Sequence, residues 1–322
     1  MNEHSEHTYV KYLLHALISF LVVWAVALYF ALNYQDLYES REYPMWKHVH
    51  NVVNSASSDK NQLILIGDSR AKAGYEPKYA SYKTLNLALG GSTPIEGYYI
   101  LKHYLENNEK PKNIVLSYAP FHLIEHNYFW LRTVRYKFLE YDQYSKIISN
   151  AYKLKNDEIS ENDNRLKYYL FPSTYISSIF TGLRKKRWKV NKQVHSDVLV
   201  NNGHYHFGRK DGSSELNDES RLYDKFKRSE LLEFYLLKLL ELAKINDIKV
   251  SWYTMPFNES SCKRISKDLV SGYNQYLNKL NKENNVTLIK RISCMDDKYF
   301  GDSSHVYKGS KLTTTEILKG VE

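Results

Sequence analysis

Cysteine is nearly absent: the 322-residue chain contains two, Cys262 and Cys294. Two isolated cysteines make no Cys-x-x-Cys metal or redox site. They are either buried thiols or one disulfide, the latter if the domain lies outside the cytoplasm. The chain also lacks zinc-finger spacing, an aromatic-rich RNA-binding strand signature and a basic zipper. Its formal net charge of +9 and pI of about 9.1 therefore do not read as nucleic-acid binding, and no nucleic-acid partner is expected. The charge reads instead as surface character directed at lipid headgroups. There is no internal repeat and no sustained low-complexity tract. What remains can fold: 43% of residues are hydrophobic and 25% charged, and the length suits one sizeable α/β domain plus an extra segment. Tyrosine is abundant, at 29 residues. Such rings suit partly wet apolar surfaces such as sugar clefts, but AT-rich codon usage is the better explanation of their number.

One run is strongly apolar. Residues 12–32 read YLLHALISFLVVWAVALYFAL, interrupted only by His15 and Ser19. About 21 residues at 1.5 Å each cross a hydrocarbon core of roughly 30 Å. A cleavable signal has an apolar region of only about 7–15 residues, so an uncleaved anchor is expected. Lys11 on one flank and Arg41 and Lys47 on the other give little orienting bias. The usual outcome for a first hydrophobic segment puts the short tail inside and the domain outside. The expectation is a single-pass protein of the inner or plasma membrane with an extracytoplasmic domain. Residues 1–34 are then tail and anchor, 35–59 a polar connector with a short helix, and 60–322 the folded domain.

Within that domain, short apolar runs rich in β-formers occur at 62–66, 84–89, 113–118, 249–254 and 286–289. Amphipathic helical stretches separate or follow them at 94–107, 230–246, 267–282 and 310–319. Alternation of this kind predicts an α/β fold with a five-stranded parallel sheet covered on both faces. Residues 124–228, between the third and fourth strands, far exceed a normal crossover and are read as an insertion. Its aromatic and basic stretches, FWLRTVRYKF and LRKKRWKV, predict that it covers the active-site face or the membrane surface.

Three places carry chemistry. The first strand ends in Gly67-Asp68-Ser69 just before a helix, where α/β proteins place ligands and nucleophiles. The second ends in Gly90-Gly91-Ser92-Thr93-Pro94, whose glycines let backbone amides approach a substrate oxygen. Near the C-terminus, Asp302 and His305 are three apart, so the carboxylate can orient an imidazole that takes a serine proton. His204, His206 and Asp211 form a further polar group. One adjacent histidine pair without a further spaced ligand is thin evidence for a metal, and no metal or other cofactor is expected.

Together, the order strand–GDS–helix, strand–GG–helix and D-x-x-H before a final helix resembles the SGNH (GDSL-type) hydrolase family, over residues 60–123 and 229–322. The resemblance implies a flavodoxin-like sheet, with Ser69 as nucleophile, Gly90 or Gly91 as oxyanion donor, and Asp302 and His305 as charge-relay partners. One block departs. The family's third strand is followed by Gly-x-Asn-Asp, whereas this chain reads LSYAPFHL, with Asn127 a little downstream; either Ser117 or His122 substitutes, or the oxyanion hole rests on two backbone amides. Such departures resemble membrane-anchored SGNH proteins that partner membrane-bound O-acyltransferases. That resemblance implies a serine esterase or O-acyltransferase that adds acyl (acetyl) groups to a cell-surface polysaccharide or removes them. The alternative is a non-catalytic glycan-binding or assembly partner of such an acyltransferase.

Overall fold

The computed structural model describes residues 3–208 and 218–322, with side chains described from Thr8 onward. The N-terminal helix α1 (Glu3–Asn33) contains the stretch Thr8–Asn33, with mean hydropathy 2.3 in its most apolar part and none of that part buried. It is long and apolar enough to cross a membrane.

The chain then enters the domain at once. Residues 35–59, expected to be a polar connector with a short helix, form α2 (Gln35–Tyr38) and α3 (Tyr43–Asn54). Met45 of α3 packs with Ala73, Val194 and Val198, whereas Trp46, Val49 and Val53 are buried in the core shared with α5 (Pro94–Asn107). Their spacing is helical, but the polar residues between them gave the segment its connector look.

Five strands form the expected parallel sheet: β1 (Leu63–Gly67), β2 (Thr84–Asn86), β3 (Asn113–Ser117), β4 (Lys249–Tyr253) and β6 (Thr287–Lys290), in the order β2-β1-β3-β4-β6. Alternate residues point to opposite faces. Ile64, Ile66, Ile114, Leu116 and Trp252 belong to the large core under α3, α5, α11 (Glu230–Ile245) and α13 (Lys267–Asn284). Leu63, Leu65, Val115 and Tyr253 pack with Ala71 of α4 (Ser69–Gly74) and Ile317 of α14 (Ser310–Val321). β2 stops at Asn86, short of the expected residue 89. Backbone bonds to β1 nevertheless continue, from Leu87 N to Leu65 O at 2.8 Å and from Leu89 N to Gly67 O at 2.9 Å, while the Asn86 side chain donates to the carbonyls of Ala71, Lys72 and Tyr75 at 3.2, 3.1 and 2.9 Å. That satisfies the C-terminal carbonyls of α4.

The insertion is mainly helical: α6 (Tyr141–Lys153), α7 (Asp157–Ser160), α8 (Arg165–Leu170), α9 (Ser173–Arg184) and α10 (Arg187–Val200). The last two pack on α2, directly after α1. A Cβ on Gly182 would lie 2.3 Å from the Tyr38 carbonyl oxygen, and Asn191 donates to the carbonyls of Asp36 and Glu39 at 2.8 and 3.1 Å. Their outer side exposes Ile176, Phe180, Leu183 and Trp188 beside Arg184, Lys185 and Lys189.

A two-stranded parallel ribbon pairs β5 (Phe257–Asn258) with β7 (Cys294–Met295) beyond the main sheet. Cys262 ends α12 (Glu259–Cys262) and is disulfide-bonded to Cys294, with Cα atoms 6.1 Å apart. Closing a loop of this length stabilises by about 3–4 kcal/mol in the chain-entropy model.

Candidate active site

The site grows from the C-terminal end of β1. Asp68 caps α4: its Oδ1 accepts from the amides of Arg70 and Ala71 at 2.9 and 3.4 Å, and its Oδ2 accepts from Ala119 N at 2.7 Å. An Asp cap of this kind contributes about 1 kcal/mol. One buried carboxylate thus ties the start of α4 to the end of β3 and leaves the Ser69 amide outside the cap. From Leu63 to Pro77 every residue is buried except Ser69. Its hydroxyl and its amide make no hydrogen bond among the described residues.

Gly91, after β2, has φ +72°, in the left-handed region that favours glycine. Space demands glycine as well, since a Cβ there would meet the Tyr128 ring at 2.5 Å and Arg132 Nη1 at 2.8 Å. Its amide, too, donates no hydrogen bond among the described residues. Of the two glycines that the sequence left open, Gly91 lines the cavity that Ser69 lines, and Gly90 packs behind it against Glu42.

Before α14, His305 Nδ1 lies 2.8 and 2.9 Å from the two carboxylate oxygens of Asp302. Asp302 Oδ1 also accepts from the amides of Ser304 and His305 at 3.0 and 2.8 Å. Burial alone would raise the Asp302 carboxyl, but the His305 hydrogen bond and these amides outweigh it and hold it at about 2. With Nδ1 occupied by Asp302, Nε2 is the ring nitrogen left over. It is buried and has no hydrogen-bond partner. Phe207, from the insertion, stacks on the ring with centroids 4.4 Å apart.

Ser69, Gly91 and His305 therefore open onto one cavity of about 110 Å³. The direct Ser69–His305 hydrogen bond is not made among the described residues. Catalytic hydrogen bonds are often long or unformed without substrate.

Apart from His122, the remaining walls come from segments that the sequence did not single out for chemistry. Arg132 sits on a short π-helical segment, Phe129–Val134, with its guanidinium 4.1 Å from the centre of the Tyr128 ring and 3.7 Å from Glu42 Oε2. The neighbouring Thr133 donates at 2.6 Å to buried Glu96, the residue that completes the capping box of α5. This anchors the segment to the helix that follows Gly91. Glu219 adds a second acid, and His122 lies 3.8 Å from Asp68. Burial lowers His122 to about 4, so it lines the cavity as a neutral imidazole.

Of the three residues weighed for the missing asparagine, only His122 lines the cavity. Ser117 is buried at the end of β3, and Asn127 donates to Glu125 at 2.7 Å. Arg132 was missed because its nearness to Gly91 is purely tertiary; an arginine in an aromatic and basic stretch carries no spacing signal. Asp211 lies outside the described residues.

Scanned against family models and curated proteins, the sequence matches none.

Proposed function

We propose that this protein is a membrane-anchored serine acyl-ester enzyme of the SGNH type, acting on acyl (acetyl) groups of a cell-surface polysaccharide. The observation that carries this reading is the sharing of one cavity by Ser69, Gly91 and an Asp302-oriented His305 at the C-terminal edge of a parallel sheet. The sheet order β2-β1-β3-β4-β6 matches flavodoxin-like topology and supports the same family.

In the proposed reaction, Ser69 Oγ attacks the acyl carbonyl carbon and its proton passes to His305 Nε2. The amides of Ser69 and Gly91, with Arg132 in place of the family's asparagine, stabilise the oxyanion. Collapse of the tetrahedral intermediate breaks the donor's acyl–oxygen bond, and the leaving oxygen takes the proton from His305. An acceptor hydroxyl then gives its proton to His305 and attacks the acyl-serine. Breaking of the acyl–Oγ bond with return of the His305 proton to Ser69 Oγ regenerates Ser69 and yields an acylated glycan, or free acid if the acceptor is water. A cavity of about 110 Å³ suits a group of few heavy atoms, hence a short acyl chain.

The outer side of α9 and α10 supports a membrane-surface location. Exposed Phe180 and Trp188 beside exposed Arg184, Lys185 and Lys189 form the mix of apolar anchors and cations found at anionic lipid interfaces. A membrane-bound O-acyltransferase is the proposed partner, and the domain is proposed to lie outside the cytoplasm. The disulfide supports that side of the membrane.

The unmade Ser69–His305 hydrogen bond favours a second reading, a non-catalytic assembly partner that binds glycan. One experiment separates the two. Wild type and Ser69→Ala are given an acyl donor and candidate glycans, and acylated glycan and free acid are followed by mass spectrometry. Serine-dependent acylated glycan supports transfer, and free acid alone supports an esterase. Equal glycan acylation in cells carrying wild type or Ser69→Ala would leave the assembly role.

A further inference from the structure

A second polar cluster lies beside the candidate active site, on the far side of α4. Lys72 of α4 is fully buried and donates to the Gly203 carbonyl at 2.6 Å. This fixes the start of the 203–208 strip, in which alternate residues face two ways. Phe207 stacks on His305. His204 and His206 instead turn toward Glu76, with their rings 4.3 Å apart.

Each of these three residues offers one ligand atom, and all three atoms lie within 4.8 Å of one another. His206 Nε2 is 3.6 Å from Glu76 Oε1. Two ligands at 2.0–2.1 Å from a tetrahedral metal stand about 3.4 Å apart, so this pair needs only a few tenths of an ångström of adjustment. His204 is buried, and its Nε2 lies 3.1 Å from the Ala73 carbonyl. Donation there leaves Nδ1 unprotonated as the ligating nitrogen. An imidazole bound to metal through one nitrogen and to a carbonyl through the other is the usual outer-sphere arrangement. Glu76 is supported too: Ser310 of α14 donates to Oε1, while Lys78 pairs with the other oxygen, Oε2, from the exposed side. The three groups open onto a cavity of about 130 Å³ that Asp197 also lines, leaving room for a fourth ligand.

We propose that Glu76, His204 and His206 bind a divalent transition-metal ion of the zinc class. Two imidazoles and a carboxylate form a borderline-soft set that favours such an ion over magnesium or calcium. The three ligands come from the loop after α4 and the strip that carries Phe207, and Glu76 is bonded to the first residue of α14. The metal thus clamps the insertion's return to the two elements that flank Ser69 and His305. Its role is structural, and it takes no part in the acyl chemistry proposed above.

The test uses the full chain in detergent, purified through a tag without histidine, stripped with chelator and titrated with zinc chloride. Wild type and Ser69→Ala should each retain about one zinc per chain by elemental analysis and melt at a higher temperature with zinc. His206→Gln, a partly exposed position, should weaken zinc binding at least tenfold and lose the thermal shift. Zinc absorption fine structure of loaded wild type should show two imidazoles, and this measurement stands even if the variant misfolds. The proposal is overturned by an absence of saturable zinc binding in wild type, by equal affinity in His206→Gln, or by an all-oxygen ligand shell. Because Ser69→Ala must bind zinc normally, the fate of the acyl-enzyme reading does not affect this result.

Discussion

The strand-end loops and the insertion build the same cavity in opposite ways. Ser69, Gly91, Asp302 and His305 are held by short-range devices: an Asp cap, a positive-φ glycine and a carboxylate three residues from its histidine. Arg132, Phe207 and Glu219 reach the cavity only because an insertion of about one hundred residues folds back over the sheet. The groups held by local geometry therefore sit on the sheet edge, whereas the shape and charge around them are supplied from a distance. The division follows the usual rule that a rigid scaffold positions reacting groups while variable segments set specificity.

Substitutions test that division, and the largest effect is expected at Ser69. Ser69→Ala should lower serine-dependent acyl release from an aryl acetate by at least about 10³-fold. Its melting temperature should stay within a degree or so, because the hydroxyl bonds to nothing in the described structure. A variant that keeps more than a tenth of the rate would remove the sheet edge from the chemistry.

Next comes Arg132→Ala, expected to cost about 10²-fold in kcat, the scale of one oxyanion donor. Arg132→Lys should recover only part, since an ammonium cannot copy the stacked, planar guanidinium. A change confined to KM would instead make Arg132 a substrate-binding wall.

Phe207→Ala should lower kcat about tenfold by freeing the His305 ring, and should destabilise the fold by roughly 3 kcal/mol as a truncated buried aromatic. Phe207→Leu should restore most of the stability but less of the rate. Equal recovery of both would reduce the contact to packing.

The smallest effect concerns acid stability. Asp302 is held at about 2, below the roughly 3.9 of a free aspartate. A depressed carboxyl contributes stability that is fully present above the unfolded value and lost as pH falls through the folded one. Asp302→Asn should therefore flatten the decline in melting temperature between about pH 4 and pH 2. About a third of the Asp302 side chain is exposed (35%), so screening keeps this contribution small. An unchanged acid limb would show that other carboxylates dominate it.

Much of the frame was legible in the residues. The apolar run at 12–32, the five β-rich runs and the helical periodicities each report a local preference, and the structure contains α1 and a five-stranded parallel sheet. Gly67-Asp68-Ser69 and Asp302-x-x-His305 were legible because each is a turn whose residues make their own hydrogen bonds. Residues 35–59 were misread as a connector because their apolar face is narrow, and burial on α5 is not a property of the segment alone.

By itself, then, the sequence determined the anchor-length helix, the parallel sheet and the positions of Ser69 and the Asp302–His305 pair, because side-chain periodicity and turn chemistry act over a few residues. Tertiary structure alone decided that Gly91 rather than Gly90 lines the cavity, that Arg132 lines it too, and that Glu76 meets His204 and His206 across more than one hundred residues. These are meetings between distant segments, fixed by how the insertion packs on α2, α4 and α5, and no local spacing encodes them.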